Sequence, residues 1–159
     1  EAFQALEGMV NHEDPYLAAE AAYTLGRAYL GRENYEAAVN HFEPVNTRLA
    51  RHTLRVGESL YYQGLGQAGA LRGEDAIDSL LAFIGFHGDA SPALLAAARR
   101  EVTRLEERST GDLNDVARHM DYAGSKLAHV DAGADTQEVQ GRIVDMLDEL
   151  IRIAEQPPT

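Results

Sequence analysis

The chain has 159 residues, 45% of them hydrophobic, which is enough apolar material for a folded core. Its 26 Asp and Glu against 14 Lys and Arg give a net charge of −12, a balance that argues against nucleic acid and against anionic membrane surfaces. There is no cysteine, so disulfides, thiolate metal sites and cysteine nucleophiles are excluded, and no apolar run approaches the ~20 residues of a membrane span.

Alanine and leucine abound and β-branched runs are absent, which favours helix throughout. Residues 1–11 read as a short helix with Phe3, Leu6 and Val10 on one side. The chain opens without Met, on what looks like the tail of an earlier helix pair, and is expected to be a piece of something longer. Asp14-Pro15 marks a helix start, with Asp14 as N-cap and Pro15 at the first helical position. Ala22, Leu25, Gly26 and Tyr29 then share one helical face, and Tyr35, Ala38, Val39 and Phe42 share another, with a tight turn over 31–34 between them. Gly26 and Ala38 are the small residues at which the two backbones are expected to meet. Pro44 should kink or shorten the second helix.

Ala22-x2-Leu25-Gly26-x2-Tyr29 followed by Ala38-x3-Phe42 resembles the tetratricopeptide (TPR) signature, aromatic-x2-Leu-Gly-x2-Tyr, Ala-x3-Phe, Pro. Ala22 replaces the first aromatic, and Ala50 stands where the Pro would fall. Sliding the chain 38 positions pairs Tyr23 with Tyr61, Gly26 with Gly64, Ala38 with Ala76, Phe42 with Leu80 and Val45 with Phe83. The family period is about 34, so roughly four extra residues belong to the connection near 47–53. In the second copy Gln63, Gln67 and Gly73 replace the large residues of the first. The repeats are placed at about 16–50 and 54–87.

Ser91-Pro92 repeats the N-cap signal. Leu95, Ala98, Val102 and Leu105 form an apolar stripe opposite Arg99, Arg100 and Arg104 on a helix over 91–108, which would cap a repeat array ending at 110. Beyond it, Leu113, Val116, Met120, Ala123, Leu127 and Val130, then Val139, Ile143, Met146, Leu150 and Ile153, step by threes and fours as the seams of an antiparallel helical hairpin over 111–155. Asp135 and Glu138 read as a capping box, and 156–159 as a tail. Leu113-Asn114-Asp115-Val116-Ala117 and Thr136-Gln137-x2-Gln140-x2-Ile143-x3-Leu147-Asp148-x-Leu150-Ile151 resemble a segment that follows such repeats in some planctomycete proteins, which implies a bacterial source. The hairpin holds 10 acids and 4 bases. Val144, Leu147, Ile151 and Ala154 are apolar surplus beyond its seam, expected to dock within the same chain, giving a monomer, with a homodimer as the alternative.

The resemblance implies an all-α, non-catalytic scaffold that holds a peptide or partner helix on a concave face. On that face fall Tyr23, Arg27 and Leu30 from one helix and Glu58, Tyr61 and Leu65 from the next. Exposed surface, or tyrosines packing between repeats, is the competing reading of these six. Neither a cofactor nor a catalytic set is indicated. An assembly role for the hairpin is one alternative function. Metal binding is another, because His12/Asp14, His87/Asp89, His119/Asp121 and His129/Asp131 share the same spacing. Most of these pairs sit at helix junctions, where His suits a C-terminus and Asp the next N-cap. Arg48, Arg51 and Arg55 could share a helical face and grip a carboxylate or phosphate, or form a solvated stripe. The three methionines read as core. The compartment leans to the cell envelope over the cytoplasm, since envelope repeat proteins look similar.

Overall fold

The computed structural model describes residues 2–108, 111–129 and 133–155, with only the backbone at 134 and 135. Among these residues the fold is all-helical, with no strand: α1 (Ala2–Met9), α2 (Pro15–Leu30), α3 (Tyr35–Asn46), α4 (Val56–Gly69), α5 (Gly73–Phe86), α6 (Pro92–Glu106), α7 (Leu113–Ala128) and α8 (Ala134–Ala154). A 3-10 turn, Ala50–His52, interrupts the connection from α3 to α4. No described helix is long and apolar enough to cross a membrane. The chain divides into two compact units, Glu1–Glu106 and Glu107–Thr159.

In the first unit each helix packs on the next, and α4 also touches α2 and α6. The local signals explain the starts and stops. The Asp14 carboxylate accepts from the Tyr16 N–H at 2.9 Å, with Pro15 at N1. The Asn34 side chain accepts from the Ala37 N–H at the head of α3. Two residues past Pro44, α3 stops at Asn46. The turns after α2 and α4 are built alike. Glu33 and Leu71 carry φ of 60° and 62°. In the first turn Glu33 N–H donates to Leu30 O and Asn34 N–H to Tyr29 O, while in the second Leu71 N–H donates to Ala68 O and Arg72 N–H to Gln67 O.

Helix packing depends on missing side chains. A Cβ on Gly26 would stand 2.6 Å from the Phe42 ring, and one on Gly64 would stand 2.7 Å from Leu80 Cγ. The two contacts join positions that match at the 38-residue offset. The partner of Gly26 therefore differs from the expected Ala38: the atoms nearest it belong to the aromatic ring, because Phe42 lies flat over the bare backbone and is fully buried. Helix α4 is bare on its other side too. Gly66 meets Val39 and Gly69 meets the Tyr35 ring, both on α3. Among the described residues three clusters form the core, one around Phe42 and Val45, one around Leu80, Phe83 and the α6 stripe of Ala98, Val102 and Leu105, and a small one of Ala18, Ala19 and Leu49.

In the second unit α7 and α8 contact each other. Helix α7 is rotated from the expected seam. Val116 and Ala123 are buried, but beside them go Asp115, His119 and Tyr122, while Leu113, Met120 and Leu127 are exposed. The cause is polar. Asp115 accepts from the Gly111 N–H at 2.8 Å and from Arg118 at 2.9 Å, and its Oδ1 lies 3.3 Å from His119 Nδ1. A carboxylate so supplied with donors is stable inside, and the helix turns to put it there. Burial raises the Asp115 pKa, but the Gly111 N–H, His119 and Arg118 outweigh it and hold the group below the usual carboxylate range. Met120, expected in the core, is more than half exposed. Gly133, not residue 135, is the N-cap of α8, so the helix starts ahead of the expected capping position, and Glu138 pairs with Arg142 at 3.3 Å. Val130 of the expected seam and the expected tail over 156–159 lie outside the described residues.

Two outcomes follow from this packing. Gly64→Ala should destabilise the chain by about 1–3 kcal/mol, because Leu80 and the Ala76 carbonyl leave no room. Gly85→Ala, on the open side of α5 with nothing near, should stabilise it by about 0.5–1 kcal/mol. Urea denaturation of the two variants should move in opposite directions. For Asp115 the folded state holds the proton less tightly than the unfolded state. Its contribution is therefore present above the ordinary carboxylate range and lost as pH falls through the depressed folded pKa. Asp115→Asn should lower stability at neutral pH and flatten the acid limb of a pH–stability curve measured by circular dichroism.

Candidate functional site

Between α2 and α4 lies a belt of polar and aromatic side chains. The Tyr23 hydroxyl donates to Glu58 Oε2 at 2.5 Å and accepts from Arg27 Nη1 at 3.1 Å. The Arg27 guanidinium lies over the Tyr62 ring, 3.9 Å from its centroid. Arg55 covers the Tyr23 ring at 4.8 Å, donates to Glu20 at 2.9 Å and reaches Glu58 at 3.4 Å. Thr53 fixes this arginine from below: its hydroxyl accepts the Arg55 backbone N–H at 3.1 Å and donates to Glu20 at 3.3 Å. Arg55 is thus the residue before α4, committed to carboxylates on α2 and α4, and does not share a helical face with Arg48 and Arg51. The 3-10 turn breaks that face.

Beside the belt a groove of about 840 Å³ opens, lined by Tyr16 and Glu20 of α2, residues 51–55 of the connection, and Glu58 of α4. Tyr16 meets the His52 ring edge-on at 5.2 Å. Leu54 is fully exposed at its rim, and Tyr16 is 61% exposed. Arg51 is exposed and has no ion-pair partner among the described residues. The groove thus combines two apolar surfaces, one uncommitted cation and a paired Glu–Arg set. Such a lining suits recognition by contact and charge.

The six expected binding residues divide. Glu58 lines the groove. Tyr23 is only 5% exposed and stands behind Glu58, so its ring packs while its hydroxyl orients the carboxylate. Arg27 is exposed but is spent on Tyr23 and Tyr62. Tyr61 is half-buried between Tyr62 and Phe83, and Leu30 packs against the Phe42 cluster. Leu65 is half-buried. The face is therefore more of a joint between helices than an open surface. Sequence reasoning missed Tyr16, Glu20, Leu54 and Tyr62. The available signal was the connection itself, where a leucine sits among polar residues outside any helix.

The His/Asp pairs do other work. Asp14 donates its N–H to His12 Nδ1 while its side chain caps α2. His87 stacks on Phe83 and packs against Gly57. His119 belongs to the Asp115 set, and His129 bonds the Ser125 carbonyl at the end of α7, while Asp131 lies outside the described residues. Among the described residues no three His, Asp or Glu side chains converge to hold a metal ion.

No family model matches the chain, and no curated protein and no solved structure is significantly similar to it.

Burial, and then the bond to Glu58, raise the Tyr23 pKa above the usual phenol value against the opposing pull of Arg27. The folded state therefore keeps this proton more tightly than the unfolded one. Its contribution is full below the ordinary tyrosine range and is lost as pH rises through the raised folded pKa. Tyr23→Phe should cost about 1 kcal/mol at neutral pH through the lost hydrogen bonds. It should also make alkaline unfolding less steep, as read by far-ultraviolet circular dichroism.

Proposed function

We propose that the first unit is a TPR-like array of helix pairs that acts as a non-catalytic scaffold, holding a peptide or partner helix against α2 and α4. The observation that carries the reading is the groove beside the Tyr23–Glu58–Arg55–Glu20 belt, walled by Tyr16, Leu54 and Arg51. A belt whose members already bond one another costs little further ordering on binding, and preorganised walls favour affinity. Support for the repeat reading comes from the paired contacts Gly26–Phe42 and Gly64–Leu80, the two matching turns, and the contacts of α4 with α2 and α6. The recognition mode is a side-chain pocket beside a helix pair, with Leu54 and Tyr16 supplying apolar contact and Arg51 a cation for an acidic residue of the ligand.

Selection of a displayed peptide library on the whole chain tests this. Enriched peptides should lose about tenfold in affinity when Arg51→Glu is combined with Leu54→Ser, with the melting temperature unchanged. Enriched peptides indifferent to that double change, or a selection that enriches none, would overturn the proposal.

A further inference from the structure

The second unit exposes apolar side chains in a regular order. On α7, Leu113, Met120 and Leu127 are 70%, 56% and 47% exposed. They stand seven residues apart, so they return to one side of the helix with about 20° of drift per step. On α8, Val144, Leu147 and Ile151 are exposed at 56%, 38% and 54% and share one side in the same way. Each stripe lies next to its helix's more buried stripe, Val116 and Ala123 on α7, Ile143 and Leu150 on α8. The five residues between α7 and α8 are too few to carry the chain back along a 16-residue helix, so the two helices in contact run antiparallel, and stripes displaced in the same rotational sense from the seam fall on one side of the pair. The six residues then make one apolar strip two helices wide.

The unpaired charges beside the strip are acidic; Arg152, seven residues from Asp145 and so on the same side of α8, is already paired with Glu149. Asp145 and Asp148 on α8 and Asp121 on α7 are exposed and have no ion-pair partner among the described residues. The cations of α7 and α8 are already engaged: Arg118 with Asp115, Arg142 with Glu138, Arg152 with Glu149, and Lys126 over the Tyr122 ring. An apolar strip rimmed by unpaired carboxylates is complementary to a helix with an apolar stripe and lysines or arginines beside it. It is a poor match for a second copy of itself, which would bring acid against acid.

We propose that α7 and α8 dock a basic amphipathic helix from another protein, through Leu113, Met120, Leu127, Val144, Leu147 and Ile151, with Asp121, Asp145 and Asp148 reading its cations. This site is separate from the groove of the first unit and does not rest on it. The anchors of the incoming helix would recur at three- and four-residue steps, the helix-in-groove mode of recognition.

The test uses the whole chain and fluorescein-labelled synthetic helices, read by anisotropy. One peptide carries leucines on a single stripe with lysines elsewhere; a second replaces lysine by glutamate; a third scrambles the leucine–lysine peptide so that no stripe forms. The striped leucine–lysine peptide should bind at least about tenfold more tightly than either control and weaken with salt. Leu147→Asp with Ile151→Asp should abolish that advantage while circular dichroism stays native. Asp145→Lys with Asp148→Lys should shift preference toward the glutamate peptide. Arg51→Glu with Leu54→Ser, in the other unit, should leave it unchanged. Equal binding of the striped and scrambled peptides would overturn the proposal. So would binding indifferent to the α8 changes, or a dimer in light scattering that Leu147→Asp with Ile151→Asp dissociates.

Discussion

The close approach of helix backbones across glycine governs the first unit. Helix α4 has bare positions on two sides, Gly64 toward Leu80 and Gly66 and Gly69 toward Val39 and Tyr35. A helix flanked on both sides at such range cannot move toward one neighbour without losing the other. Interiors close-packed in this way transmit small displacements rather than absorb them. The large residues then have fixed places: Phe42 over Gly26 and Leu80 over Gly64 fill the space that the missing side chains leave. Glycine weakens α4 as an isolated helix, and its packing must offset that loss.

The belt between α2 and α4 adds a second constraint of a different kind. Its members are tied pairwise across some 35 residues of sequence, Tyr23 to Glu58 and Glu20 to Arg55. The Arg55 pairs are more than 40% exposed, so solvent screens them and each contributes little to stability. Their effect is on orientation. Glu58 accepts from both Tyr23 and Arg55, and its carboxylate is aimed before anything arrives in the groove.

The sequence carried the helical class well, because three-and-four stepping of apolar residues leaves little room for any other reading. Gly26 and Gly64 were legible as close-packing positions, but the ring that lies over Gly26 was not, since a repeat signature marks small residues without saying what covers them. The seam of α7 was misread for a plain reason. Periodicity counts apolar residues, and here Asp115 and His119 go inside as a bonded set while Met120 and Leu127 stay out. The candidate groove was hardly legible. Its walls come from a connection with no period, and from Tyr16 and Glu20, which lie off the packing stripe.

The groove's position has a consequence for how such a site changes. One of its walls, residues 51–55, is borrowed from the link between α3 and α4, which holds only a short 3-10 turn. Insertions or deletions there would reshape the groove while the glycine contacts that hold the helices stay untouched. Groove shape and foldedness are thereby assigned to different letters of the chain, so the lining can change without passing through unfolded intermediates.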